Sequence, residues 1–279
     1  MSAGRAPTNQ PRSVATYRSA KPLDGRWRAG RPWAGCTERR SERVIEVWIL
    51  DRGAHGASPE RLEALLTPEE RARRDRFRRP EDQDRFRLGR ALCRLALARR
   101  LDRPAADIGL EIGPRGRPFL RGAPDGPWFN LSHSGDIVAL AVAPVAEIGV
   151  DVEQVDRLHD SAQIAARVCT DAEQAALQAH PPQARAELFA ALWTLKEAYM
   201  KATGMGFALD PAALAFDPDR PTTALKLAGL APEDIAAWRF QLWRPAPGYS
   251  LALAIRPTPG AALPPPTPAS AAPLFQAFG

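Results

Sequence analysis

The segment IGVDVEQVD (148–156) sets two carboxylates, Asp151 and Glu153, two residues apart. Alternate residues of a β-strand face the same way, so these two project together while Val150 and Val152 turn toward a core. Side-by-side carboxylates repel unless a cation lies between them, and oxygen ligands select a hard ion, Mg²⁺ or Mn²⁺, rather than zinc. A solvated face on an edge strand would carry the same pattern. A second segment, LFAALWTLKEAYMKATGMGF (188–207), reads as a helix with Leu188, Leu192, Leu195 and Tyr199 along its buried side. Glu197 and Lys201 are i,i+4 neighbours there, the spacing of a common surface ion pair, and Lys196 adjoins Glu197. Only four lysines occur in the chain, Lys21, Lys196, Lys201 and Lys226, and two of them sit on this helix. Arginine would serve a plain ion pair equally well, whereas lysine can also lose a proton, which favours a chemical role. The third segment, PWFNLSHSGDIVALAV (127–142), crowds Asn130, Ser132, His133 and Ser134 into a polar turn between apolar strands. Its hydroxyl, imidazole and N–H donors would nest a phosphate, or form an ordinary β-turn.

These groups need elements to hold them. VIEVWIL (44–50) reads as a strand, and 58–77 as a charged helix opened by Ser58-Pro59. Pro80 starts the next helix, in which Phe86, Leu88, Leu92, Leu95 and Leu97 populate a buried side. Strands follow at 107–112, 117–121 and 136–143, separated by Gly and Pro turns. A second round runs from a strand at 147–153 through helices near 160–168, 171–179 and 183–203 to strands at 222–227, 238–244 and 249–256. The expected class is therefore α+β, with two similar lobes, 44–145 and 146–257, and a ligand site between them. Residues 1–43, basic and poor in acids, read as a disordered extension, with a transit peptide or nucleic-acid arm as the alternatives. Residues 258–279, rich in Pro and Ala, read as a disordered tail.

Composition narrows the class. A chain of 279 residues, 45% hydrophobic, can bury one large core or two modest ones. No apolar run is long enough to span a bilayer, and the N-terminus lacks a secretory signal's apolar core. Cys36, Cys93 and Cys169 are odd in number and lack metal-ligand spacing, so a reducing cytoplasm is the expected setting. The formal charge of +6 favours anionic partners.

Taken in order, FNLSHSG (129–135), IGVDVE (148–153) and WTLKEAYMKATGMGF (193–207) resemble the 4'-phosphopantetheinyl transferases, specifically the larger monomeric type that activates peptide and polyketide synthetases. GRP (116–118) and the arginine-rich 76–94 are weaker matches, and the resemblance covers roughly 45–256. It implies two pseudo-symmetric lobes with coenzyme A in the cleft and an apo carrier protein, acidic in character, as acceptor. It implies Asp151, Glu153 and Glu197 as Mg²⁺ ligands, and Lys196 and Lys201 as contacts to the phosphates and the reacting centre. Ser132 and His133 match the family's 3'-phosphate contacts. Arg117 stands where lysine is common, and Arg73 and Arg85 fall at basic positions that hold nucleotide phosphates, whereas Pro80 occupies a spot where a relative can carry lysine. Glu173 aligns with a glutamate of general-base or metal-water duty, and as a first-turn acid it would equally favour a helix dipole. The serine's proton could go to Glu173, a metal-bound water or Lys196, which the sequence does not rank.

Two rival classes account for less. A nucleic-acid-binding protein would leave the carboxylates unexplained and lacks aromatics interleaved with its basic run. A metal-dependent phosphohydrolase would use the same trio but would turn over coenzyme A without a carrier.

Overall fold

A computed structural model describes residues 44–113, 116–158 and 161–278. The first half runs β1 (Glu46–Asp51), α1 (Pro59–Ala64), α2 (Pro68–Arg74), α3 (Pro80–Leu101), β2 (Leu110–Ile112), β3 (Pro118–Leu120), β4 (Trp128–Ser134) and β5 (Ile137–Ala143). The second runs β6 (Ile148–Gln154), α4 (Ser161–Val168), α5 (Asp171–Gln178), α6 (Pro182–Thr203), β7 (Leu214–Asp217), β8 (Arg220–Leu227), α7 (Pro232–Ala236), β9 (Arg239–Trp243) and β10 (Tyr249–Ile255). β11 (Ala269–Ser270) and α8 (Ala272–Phe278) close the chain. None of the described helices is long and apolar enough to cross a membrane.

The α+β expectation holds, with one long helix against each main sheet. The first sheet has the order β11-β1-β5-β4 and the second β6-β10-β9. β5 is buried on both faces, which explains its unbroken apolar run IVALAVA. Val138, Leu140 and Val142 pack in the core under α3, while Ile137, Ala139, Ala141 and Ala143 join Val150, Val152, Leu251 and Leu253 in a core between the sheets. On the far side of the second sheet, Ala252 and Ala254 pack with Leu192, Leu195 and Tyr199 of α6.

Local chemistry explains most departures from the expected elements. The helix expected over 58–77 is two helices, because Thr67 and Glu70 form a capping box that restarts the chain at Pro68. The residues expected to form a polar turn at 130–134 belong instead to strand β4, whose polar side chains alternate along one side. β7 and α7 were not anticipated.

The tail is ordered, contrary to expectation. β11 pairs in parallel with β1 through Trp48 and Ile49, and Ala271 and Phe275 are fully buried in the core beneath α3. The Phe278 carbonyl accepts from Arg61, and Phe275 rests against His55 with ring centroids 5.8 Å apart. The chain thus leaves the second sheet and returns to cover an edge of the first, which a bare β1 would expose. Phe275→Ala is expected to cost about 3–5 kcal/mol, the usual penalty for emptying a buried phenylalanine site. Urea unfolding measures this, and an unchanged midpoint would make the tail an ornament. The expectation for residues 1–43 lies outside the described residues.

Candidate active site

The carboxylate strand is held on both sides. α6 lies so close to β6 that a Cβ on Gly149 would stand 2.0 Å from the Ala198 carbonyl oxygen, which is why glycine precedes the chemistry. Gly204, at φ +67°, then ends α6 in the left-handed conformation just after Lys201. Across the other edge, Asn130 Oδ1 accepts from Val150 N (2.9 Å), Ser132 Oγ from Val152 N (3.3 Å) and Ser134 Oγ from Gln154 N (3.1 Å).

Asp151 is the centre of the constellation and is 2% exposed. Its Oδ1 accepts from Ser132 Oγ (2.8 Å) and from Lys201 Nζ (2.5 Å), and Lys201 also donates to Ser132 Oγ (2.9 Å). Asp151 Oδ2 is buried without a partner among the described residues. Glu153 Oε2 accepts from Ser134 Oγ at 2.9 Å. Burial, reinforced by the Asp151 charge, raises the Glu153 pKa. Burial raises that of Glu197 to about 7, with Asp151 and Glu153 pushing the same way against Lys201. Burial alone would lower the Lys201 ammonium, but Asp151, Glu197 and Glu153 outweigh it and leave its pKa above the ordinary value. Lys201 is therefore a charged group at neutral pH, not a base.

Among the described residues, no three acidic, histidine or cysteine side chains converge tightly enough to hold a metal ion. The trio Asp151, Glu153 and Glu197 shares one electrostatic neighbourhood, but Lys201 is the cation that contacts Asp151. The residues nonetheless fit a hard cation, because the unpartnered Asp151 Oδ2 and two carboxyls of raised pKa are what such an ion would satisfy.

Two expected site residues lie elsewhere. Lys196 is fully buried and turned into the second half of the chain, where Nζ donates to Glu173 Oε2 (2.7 Å) and to the carbonyls of Val168 (2.7 Å), Leu214 (2.9 Å) and Pro211 (3.2 Å). Glu173, 1% exposed, closes a capping box with Thr170 and accepts from Phe216 N at 2.9 Å. With its three donors committed, Lys196 does not reach a phosphate, and Glu173 has no path to a substrate proton. Together they tie α5, α6 and β7.

The basic residues divide similarly. Arg85 is buried, donating to the Gly135 carbonyl (2.9 Å) and pairing with Asp82, so it braces the β4–β5 turn. His133 is exposed at the surface, yet desolvation lowers the imidazole pKa, helped by the charges of Arg85 and Lys201. Arg117 is half-buried and clasps the carbonyls of Phe129, Ile148, Ala146 and Lys201 at 3.1–3.4 Å, tying both halves together with no carboxylate partner among the described residues. Burial lowers its pKa. An apolar cavity of about 540 Å³ opens beside it, walled by Pro118, Phe119, Pro127 and Trp128. Arg73 is exposed on α2, its guanidinium carbon 5.8 Å from the Phe86 ring centroid. Ser132, expected on a phosphate, is committed to Asp151, Lys201 and Val152. Unforeseen was the part played by Asn130 and Ser134. Their period-2 spacing with Ser132 was the available sign of a strand with one polar face.

An acidic centre with one charged lysine, set where two sheets meet, suits an enzyme that manages phosphate charge. Residues 147–254 match the profile described as the 4'-phosphopantetheinyl transferase superfamily, and 58–145 that of the 4'-phosphopantetheinyl transferase N-terminal region. The 4'-phosphopantetheinyl transferase HetI of Nostoc sp. is 33% identical over 216 residues, covering 71% of this chain and 91% of that protein. The 4'-phosphopantetheinyl transferase psf-1 of Bacillus pumilus is 33% identical over 215 residues, covering 76% and 88%. A crystal structure of a holo-(acyl-carrier-protein) synthase from Bacillus anthracis in complex with CoA (3',5'-ADP) is 16% identical with TM-score 0.32, covering 39% of this chain and 93% of that one, and is too slight a likeness to argue from. The chain belongs to the 4'-phosphopantetheinyl transferase superfamily, among its larger members, and is a transferase of that group.

Proposed function

We propose that the cleft moves phosphopantetheine from coenzyme A to the serine hydroxyl of an apo carrier protein, with a divalent cation held by Asp151, Glu153 and Glu197. The observation that carries this reading is the buried, unpartnered Asp151 Oδ2 beside Lys201. The serine oxygen bonds to the pantetheine-side phosphorus of the pyrophosphate, the P–O bond to 3',5'-ADP breaks, and ADP leaves with the electron pair. A bound Mg²⁺ or Mn²⁺ would neutralise charge developing on the pyrophosphate. Lys201 adds a fixed positive charge at the same point, and His133 and Arg73 offer donors to the nucleotide's phosphates. The apolar cavity beside Arg117 suits an uncharged part of coenzyme A. With Glu173 and Lys196 committed to each other, the serine proton falls to the cleft carboxylates. The basic net charge favours an acidic carrier.

The test is a mass-shift assay with coenzyme A and a panel of apo carriers, in Mg²⁺, in Mn²⁺ and in chelator. Transfer is expected with either metal, and full activity in chelator would end the metal reading.

A pH effect follows from Glu197. Its pKa rises from 4.5 to about 7 on folding, so its contribution to metal-free stability is full below 4.5 and lost as pH rises through 7. Glu153 shifts in the same direction. A cation needs both ionised, so protons compete with it. Mg²⁺ should therefore raise the melting temperature more at pH 8 than at pH 6. An equal rise at both would remove Glu197 from the ligand set.

A further inference from the structure

β4 and β6 are edge strands of different sheets, running alongside each other without a backbone hydrogen bond between them. Three side chains of β4 do that work. Asn130, Ser132 and Ser134 each accept from the amide twenty residues ahead, at Val150, Val152 and Gln154. The two serines also donate to the carboxylate one residue before that amide, Ser132 to Asp151 and Ser134 to Glu153. The unit is thus repeated along the seam: one hydroxyl reads the backbone of β6 and, with its proton, the carboxylate beside it. At the Asn130 position no carboxylate exists, since residue 149 is the glycine against Ala198. Ser132 is further engaged by Lys201, whereas Ser134, 7% exposed, among the described residues serves only Gln154 N and Glu153.

We propose that Ser134 is a positioning residue for the transfer reaction, fixing the Glu153 carboxylate in the cleft through a hydroxyl whose own direction is set by the Gln154 amide. This rests on the reading of Glu153 as a cation ligand. A hydroxyl that accepts from a backbone N–H has its lone pairs oriented, so its proton points to one place, and the carboxylate is confined there. The same bond makes the relative placement of the two sheets a condition of the carboxylate's geometry. Without it, Glu153 keeps its charge but gains rotamers, and ordering it again falls on the cation.

The experiment compares wild type, Ser134→Ala and Ser134→Thr in the full chain. Mn²⁺ uptake is read by electron paramagnetic resonance, kcat and KM for coenzyme A and for the carrier by steady state, and folding by thermal melts. Ser134→Ala is expected to need about tenfold more Mn²⁺ for half-saturation, the scale of losing a group that orients a ligand. KM for the carrier should stay near wild type, the melt should move by only a few degrees, and Ser134→Thr should restore most of the Mn²⁺ affinity. Wild-type Mn²⁺ affinity in Ser134→Ala would overturn the proposal, as would a threonine variant that folds like wild type but is no better than alanine. If wild type takes up no Mn²⁺, the metal reading itself fails and kcat decides. A fall in Ser134→Ala that threonine rescues then sustains positioning, and an unchanged kcat ends it. A melt that collapses in Ser134→Ala with no rescue by threonine would make the residue structural only.

Discussion

Asp151→Asn is expected to cut turnover at saturating coenzyme A and carrier by about a hundredfold or more, the scale of losing one charge-stabilising group. Asparagine keeps the volume and an oxygen that can accept from Ser132 and Lys201, so the melt should hold within a few degrees. It removes the charge, and an amide NH₂ can take the place of the unpartnered Oδ2, presenting donors where a cation would sit. Lys201→Ala should lose turnover on a similar scale. Lys201→Arg should recover part of it, because a lysine with a raised pKa beside Asp151 supplies charge and does not relay a proton. The two groups touch, so their effects should not add: the double variant should be less impaired than the product of the singles. Steady-state kinetics beside thermal melts decides the matter. Wild-type turnover in Asp151→Asn would remove the carboxylate from the chemistry.

Much of this centre was legible because strand alternation is a strict geometric rule. Val150 and Val152 do face the core between the sheets, and Asp151 and Glu153 do face the other way. The three segments that carry the family resemblance also meet in space, through Ser132, Asp151 and Lys201. The same alternation was available at Asn130, Ser132 and Ser134, but polar residues next to Gly135 looked like a turn. A strand edge bonded through side chains leaves a polar signature that a backbone-paired edge does not. The ordered tail was not legible at all. Its two-residue strand and seven-residue helix have no stability of their own, and they form because β1 offers an edge and the core beneath α3 accepts Phe275.

Lys196 was misplaced for a different reason, since the helical phase already contained the answer. Residue 196 lies four after Leu192 and three before Tyr199, on the buried stripe, whereas Glu197 and Lys201 follow Trp193 on the neighbouring face. The box Thr170-x-x-Glu173 was likewise a readable cap. Here family resemblance and local geometry point apart, and geometry accounts for more of the contacts.

Lys196→Met is accordingly expected to destabilise the fold by about 3–5 kcal/mol, the cost of stranding a buried partner charge. Glu173, 1% exposed, would lose the cation it pairs with, and the carbonyls of Val168, Leu214 and Pro211 would lose a shared donor. Adding Glu173→Gln to Lys196→Met should recover part of the loss, because the amide still offers an oxygen to Phe216 N or Thr170 N without a buried charge. Turnover per folded molecule should stay near wild type in the double variant, with KM for coenzyme A little changed. Urea unfolding and titrated active-site kinetics on the same preparations separate the outcomes. If Lys196→Met instead unfolds at the wild-type midpoint while turnover falls a hundredfold, the ammonium must leave Glu173 during catalysis and reach the substrate. The buried pair would then be a resting arrangement, and α6 would have to turn or shift for the reaction to proceed.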